Sequence, residues 1–292
     1  MPRSQVMSQV IDVEISSLIT KKHIAQFNDD GYTLIKNVFS SKEINQLAMA
    51  FDRWKEFGNL IGRTWRKQNT IVWIEDSVVR GMQWPSYHDS VMAKFRLDTR
   101  LLEIVEPFIG NNLKQIINQL HWKMPGSKIS WPLHRDVRSR QPVEAFKDLF
   151  SSWVQTGIAI DHHREENGAM FVVPGSHKDF PADANDQSLY SAVSYKNDPR
   201  IKPLIMDPGD VVIWNAFVVH GGGFNSSNYL DRRFYINGYV KAENCTRGEW
   251  AWKNGRSVPL TEDNALIQFE KVNEVKEAFY PEDRNISEYV ID

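Results

Sequence analysis

The sequence predicts a mainly β protein with flanking helices, and two observations carry that expectation. Between residues 113 and 240 the chain breaks into short runs rich in valine, isoleucine and aromatic residues: Lys114–Lys123, Ser152–Asp161, Met170–Pro174, Asp210–Asn215 and Arg232–Val240. Turn formers separate them, at Pro125-Gly126, Asn167-Gly168, Pro174-Gly175 and Pro208-Gly209. Second, the helical patterns precede this region and do not alternate with its strands. Strands in a row point to a sandwich or barrel and not to a parallel α/β sheet.

The elements follow in order. Residues 1–15 read as a weakly ordered tail. Residues 21–30 place apolar positions at helical spacing, and Gly31 stops that helix. Tyr32 to Ile35 is a short strand. Ser40 or Ser41 caps the next helix, with Glu43 as first-turn acid and Ile44, Leu47, Ala48, Phe51 and Trp54 as its apolar stripe. Residues 58–90 mix Trp65, Trp73, Trp84 and Tyr87 with charges and show no period. Two readings stand there, a loop region covering a substrate or an aromatic packing layer. A further helix is expected over 97–109. From residue 245 the chain turns polar and is expected to close one end of the barrel, with a short helix around Ala265–Phe279. With no repeat and no Pro/Gly/Ser-rich linker, residues 1–292 read as a single domain. Its parts are an N-terminal helical support (about 20–110), a β core (about 113–240) and a C-terminal cap (about 245–292).

Composition narrows the function classes. Hydrophobic residues make up 41% and charged residues 25%, as in soluble globular proteins. A formal net charge of −2 gives no electrostatic case for nucleic acid or an anionic membrane. Arg63, Arg66, Arg138 and Arg140 read as surface charges, with an anionic substrate as the alternative. One cysteine, Cys245, builds neither a disulfide framework nor a thiolate metal site. No secretory leader or membrane helix is legible, so a cytoplasmic protein with a small-molecule substrate is expected. The sequence carries no signal for oligomeric state.

The chemistry gathers at Leu133-His134-Arg135-Asp136, with His220 following 84 residues after Asp136. In a strand, residues two apart share a face, so His134 and Asp136 can both point into a barrel mouth. A third donor from a later strand completes one face of an octahedron. Two histidines and a carboxylate leave three positions open, the pattern of non-haem Fe(II) oxygenases. An H-x-D triplet alone is weak; a surface ion pair with Arg135 explains it as well. Context strengthens it: the strand Asp210–Asn215 leads into His220, and Gly221-Gly222-Gly223 lets backbone pass close to a ligand. Arg232, 12 residues after His220, can form a bidentate pair with a carboxylate; its neighbour Arg233 faces the other way by alternation. His121 and Lys123 share one strand face and are further candidates, as are Asn118 and Gln119. His162 and His163 read as exposed, His177 as structural.

Taken together, these segments resemble the phytanoyl-CoA dioxygenase family of Fe(II)/2-oxoglutarate oxygenases. The likeness runs from about residue 25 to 240. It is carried by Phe27-Asn-Asp-Asp-Gly31-Tyr32, Leu133-His134-Arg135-Asp136, Asn167-Gly168-Ala-Met-Phe-Val-Val-Pro174-Gly175-Ser176-His177-Lys178, Pro208-Gly209-Asp210-Val-Val-Ile-Trp214, His220 and Arg232-Arg233-Phe-Tyr-Ile-Asn-Gly-Tyr239. The resemblance implies a double-stranded β-helix, a distorted jelly roll. It implies Fe(II) on His134, Asp136 and His220, with 2-oxoglutarate and O2 as cosubstrates. Arg232 then holds the far carboxylate of 2-oxoglutarate, because Arg232 and Tyr239 keep the family's spacing. The implied reaction oxidises a C–H bond of a small organic substrate, most simply by hydroxylation, and releases succinate and CO2. Because Asp136 supplies a carboxylate, halogenation is disfavoured. Two departures stand out. No tryptophan sits at the usual place on the strand near 153–161, where Gln155 and Thr156 become candidate cosubstrate contacts, only one of them able to face inward. A serine common in the family two residues after the distal histidine is Gly222 here. Three other functions compete: a catalytically silent jelly-roll protein, a cupin-like metalloenzyme that uses no 2-oxoglutarate, and a serine hydrolase suggested by His220-Gly-Gly-Gly. The last fails for want of a G-x-S-x-G elbow.

Overall fold

The structure is a computed structural model, and it describes residues 18–67, 70–75, 78–139, 143–179 and 192–261. Helix α1 (Lys21–Asp30) is capped by Thr20 in a reciprocal box with His23, and it ends on Gly31 at φ 81°, a conformation that favours glycine. Strand β1 (Tyr32–Ile35) follows. Ser40, not Ser41, caps α2 (Ser41–Ile61), with Glu43 closing the box.

The stretch without a period, residues 58–90, is a surprise. Much of it forms a meander of β2 (Trp65–Lys67), β3 (Thr70–Glu75) and β4 (Val78–Gln83). Alternation was hidden because a bulge breaks the register between β3 and β4. The expected helix at 97–109 is α4 (Thr99–Ile109), and an unexpected short helix, α3 (Ser90–Arg96), precedes it; each is started by an aspartate cap, Asp98 and Asp89. Then come β5 (Leu113–Lys123), β6 (Trp131–His134), the single turn α5 (Leu149–Ser152), β7 (Trp153–Ala159), β8 (Met170–Val172), β9 (Lys202–Pro203), β10 (Val211–Asn215), β11 (His220–Gly222) and β12 (Arg232–Lys241). The polar segment after 245 folds as a hairpin, β13 (Glu249–Lys253) and β14 (Arg256–Ser257), with β13 paired to β5. The expected tail at 1–15 and helix at 265–279 lie outside the described residues.

Two sheets face each other in a distorted jelly roll. The major sheet runs β1-β10-β7-β12-β5-β4-β3-β2, and the minor sheet runs β6-β11-β8-β9. The strands of the major sheet are buried on both faces. On β10, Val211 and Ile213 pack toward the helices with Leu47, Phe51, Leu101 and Val105. Val212 and Trp214 turn inward, with Phe234, Ile236 and Met170. The same division on β7 leaves every residue buried, which explains why its sequence shows no polar alternation. Among the described residues, no helix is long and apolar enough to cross a membrane.

Candidate active site

The site lies between the sheets. His134 ends β6, and His220 opens β11 directly opposite it in the antiparallel register. Their rings stand 4.4 Å apart. Strand β6 stops at His134, so Asp136 is not on the strand; it opens a 3-10 turn anchored by Asp136 N–H donating to Ala216 O at 3.1 Å. That turn brings the carboxylate to both imidazoles. His134 Nε2 is 3.5 Å from Asp136 Oδ1, and His220 Nε2 is 3.3 Å from Oδ2. Donor atoms of all three residues fall within 4.8 Å of one another. Arg135 between them is buried and donates to Phe217 O and Tyr195 Oη, so the bland reading as a surface ion pair does not apply.

The remaining hydrogen bonds orient these groups. His134 Nδ1 lies 2.7 Å from Pro132 O, and His220 Nδ1 lies 3.0 Å from Val218 O. A carbonyl only accepts, so each Nδ1 carries the proton and each Nε2 presents a lone pair inward. Asp136 Oδ2 accepts from the Gln155 amide and from Trp214 Nε1, the latter at 3.2 Å. Burial pushes the Asp136 carboxyl up, but His220, His134 and the Trp214 indole outweigh it and hold it below the usual carboxylate range. Three donors of this type, held from behind and open in front, fit one divalent iron.

Beside this triad is a cradle of two buried cations. Lys123 at the end of β5 pairs in register with Arg232 at the start of β12. Arg232 Nε and Lys123 Nζ both donate to Gly168 O at 3.2 Å, and Lys123 also donates to Gly223 O. Among the described residues neither cation forms an ion pair; the nearby Asp161 is taken by Arg233 at 2.7 Å. Burial pushes Lys123 down to about 6, with the Arg232 charge adding to the effect. Burial likewise lowers Arg232 to about 10. A Cβ at Gly222 would stand 3.0 Å from Lys123 Nζ. The lysine therefore fills the space where the expected serine would have been.

The sequence candidates separate cleanly. Gln155 faces inward but spends its amide on Asp136. Thr156 lies on the opposite face of β7, its hydroxyl 3.4 Å from Asn237 O, so it does not line the cavity. Gln119 lines the cavity, whereas Asn118 turns away to Tyr235 Oη at 2.7 Å. His162 is exposed as expected; His163 is instead fully buried against Phe234, with Nε2 at Arg233 O. His177 packs over Gly31 and reaches Asn28 O, a structural place. Sequence reading missed Trp131, Met170 and Ile236 as lining residues, and it left Trp73 open. Trp214 was legible in principle: it shares the inward face of β10 with Val212. The cavity, about 790 Å³ with its open mouth, is mainly apolar.

The cradle gives a pH signature. Lys123 sits below its unfolded value of about 10.4, so the unfolded chain binds the extra proton between pH 6 and 10. Stability of the cosubstrate-free protein should therefore rise with pH across that window. Lys123→Met should flatten the rise in thermal melts. A dianion placed in the cradle would favour the charged lysine, so its binding at pH 7.5 should take up protons. Calorimetry in buffers of different ionisation enthalpy reads that directly; a buffer-independent heat would contradict it.

The phytanoyl-CoA dioxygenase (PhyH) family model matches residues 27–234. The chain belongs to that family. Membership makes it an Fe(II)/2-oxoglutarate-dependent oxygenase by family, using iron, 2-oxoglutarate and O2. The peroxisomal phytanoyl-CoA dioxygenase of Mus musculus is 26% identical over 250 residues, covering 80% of this chain and 69% of that one. A probable alpha-ketoglutarate-dependent hypophosphite dioxygenase of Stutzerimonas stutzeri is 26% identical over 235 residues, covering 75% and 77%. Among solved structures, EctD from S. alaskensis with 2-oxoglutarate and 5-hydroxyectoine gives a TM-score of 0.64 at 20% identity, over 87% of this chain and 94% of that one. The epimerase SnoN in complex with Fe3+, alpha ketoglutarate and nogalamycin RO gives 0.60 at 17%, over 83% and 96%. The fold of this PhyH-family chain is thus shared by an epimerase, and the fold alone does not set its reaction type.

Proposed function

We propose that this chain is a hydroxylase-type dioxygenase of a small organic substrate, with iron on His134, Asp136 and His220 and 2-oxoglutarate in the Lys123–Arg232 cradle. The observation that carries this reading is the pairing of two sites in one cavity. Three convergent donors face inward from β6, its following turn and β11, and beside them stand buried Arg232 and Lys123, the lysine poised to take up a proton when an anion enters. When bound, iron and 2-oxoglutarate would activate O2, which is the oxidant for C–H cleavage, with 2-oxoglutarate giving up two electrons as it becomes succinate and CO2. The protein's own part is geometric. The Pro132 and Val218 carbonyls fix the histidine tautomers. Arg232 offers a two-pronged partner for the far carboxylate and Lys123 a point charge, so the cosubstrate enters in one orientation. The surrounding apolar wall excludes water from the reacting centre. The described sheets and helices serve one cavity, and we read residues 1–292 as one oxygenase unit.

A 2-oxoglutarate-independent metalloprotein would have no use for the cradle, and its buried charges would be a standing cost. Anaerobic addition of Fe(II) and 2-oxoglutarate should give the weak visible charge-transfer band of an iron-bound 2-oxo acid. Stoichiometric iron binding with no band would sink the cosubstrate assignment.

The hydrogen bonds behind Asp136 carry their own prediction. Gln155 and Trp214 both donate to Oδ2 and so fix the carboxylate that would hold the metal. Trp214→Phe keeps the ring and removes the donor. Iron affinity should fall roughly tenfold, with the melting temperature little changed. An unaltered Fe(II) titration would show that the indole N–H does not position the ligand.

A further inference from the structure

Ile117, Gln119 and His121 alternate along β5, and all three line the cavity. Two of them bring polar groups with nothing to bond. Gln119 is only 7% exposed, yet among the described residues its side-chain amide has no hydrogen-bond partner. Its cross-strand neighbours do not serve it. On one side stands Ile236, and on the other Gln83, whose own Nε2 is buried without a partner. His121 lies two residues further on, on the same face. Its ring lies flat against Trp131, with centres 4.9 Å apart and planes 14° from parallel. That contact uses a face of the imidazole and neither of its nitrogens, and among the described residues no hydrogen bond reaches them. Burial, then the Arg232 and Lys123 charges, push His121 down to about 3, so the ring is neutral: one nitrogen donates and the other accepts.

In an open cavity water serves such groups. A substrate that displaces this water must replace its hydrogen bonds or lose affinity. The chemistry of the wall says which substrate does so. The charged groups of the lining, Asp136 and Arg232, are taken up by the iron and cosubstrate sites. Gln119 stands four residues before Lys123, about 13–14 Å along the strand. A five-carbon diacid anchored in the cradle and turned to the triad leaves Gln119 to the other ligand. What remains for that ligand is uncharged: a carboxamide, a neutral imidazole, and apolar surface from Trp73, Ile117, Met170 and Ile236. A charged group would lose its water here and find no counter-charge. A ketone or ether would leave the Gln119 oxygen unmet. A cyclic amide satisfies both ends of the carboxamide, because its ring holds N–H and C=O on the same side. Its C=O accepts from the Gln119 amide, its N–H donates to the Gln119 oxygen, and the second lone pair of its C=O is open to a donor from His121.

We propose that the substrate carries a cyclic amide on an apolar body, the amide docked edge-on against Gln119 and His121 and the body laid along the tryptophan-lined wall. This rests on the oxygenase reading above. The probes are oxindole, 2-indanone and indane-2-carboxylate, which share one bicyclic body. The first offers both edges of the amide, the second lacks the N–H, and the third is an anion. Each is titrated anaerobically into the protein loaded with Fe(II) and 2-oxoglutarate, with the charge-transfer band and calorimetric heat as readouts. Oxindole should bind about tenfold tighter than 2-indanone, and the carboxylate weakest. In Gln119→Met, oxindole should lose that advantage while 2-indanone and 2-oxoglutarate bind as before. His121→Phe keeps a ring against Trp131 and should remove part of the advantage. A wild-type protein that forms the band but does not prefer oxindole, or that binds none of the three, overturns the proposal. So does a preference that survives in Gln119→Met, or a loss of 2-oxoglutarate affinity in that variant, which would put the cosubstrate on Gln119. A wild-type protein that forms no band fails at the oxygenase reading instead.

Discussion

Replacing Asp136 by alanine will reduce turnover to the assay background and abolish stoichiometric Fe(II) binding, while the protein stays folded. The expectation follows from what the carboxylate touches. It bridges two imidazoles on facing strands, 3.5 and 3.3 Å away, and among the described residues it is the one anion in the cavity lining. Without it, two neutral histidines remain, a poor site for a divalent ion in competition with water. Its loss leaves the Gln155 amide and Trp214 N–H without their acceptor, at about 1–3 kcal/mol each if no water replaces it. Removing a buried charge offsets part of that, so the melting temperature should move by only a few degrees. Metal titration, succinate release and a thermal melt on the same sample decide it. Retained succinate release would refute the ligand assignment; a globally unfolded variant would call for Asp136→Asn as the cleaner substitution.

The second large effect is at Arg232. Arg232→Ala should weaken 2-oxoglutarate by roughly 100-fold, the cost of about 3 kcal/mol expected when one partner of a buried charge pair is truncated. The loss should appear in KM for 2-oxoglutarate, with Fe(II) binding unchanged, because Arg232 has no contact with the iron donors. Lys123→Met should cost less, since a lysine pushed down to about 6 must first take up a proton to pair with the anion. An unchanged KM in Arg232→Ala would place the cosubstrate elsewhere in the cavity. Arg232→Lys is informative beside it: it keeps the charge and loses the fork, so intermediate binding would show that orientation matters as well as charge.

Much of this was legible because the residues that make the site also make the local pattern. His134 and Asp136 stand close in sequence, and Asp210–Asn215 reads as a strand that delivers His220. Turn dipeptides punctuated the β core. The helices at 21–30 and 41–61 showed their caps and stripes. Other parts were illegible for physical reasons. Strands of the major sheet are covered on both faces, so hydrophobicity does not alternate and the inward residues do not stand out. The bulge between β3 and β4 erased their period, so the three strands read as either a covering loop or an aromatic packing layer. His163 looked exposed among charged neighbours because only the fold places Phe234 against it. The role of Gln155 was invisible since its partner, Asp136, comes from the turn after β6. Lys123 gained meaning only when the register set it beside Arg232 and Gly222.

Strand β5 contributes Ile117, Gln119, His121 and Lys123 to one face, a row that runs from the apolar wall to the cation cradle. Alternate residues on a strand are about 6.8 Å apart, so this row is a ruler with the Lys123–Arg232 cradle at one end. Evolution can then edit the row piecemeal. Exchanges at 117 and 119 would reshape the cavity wall and leave Lys123 in place. A single-residue insertion within the strand would do the reverse of editing: every mark beyond it would turn to the helix side at once. Substrate range in this lineage is therefore expected to drift by substitution along β5, and never by a change in its length.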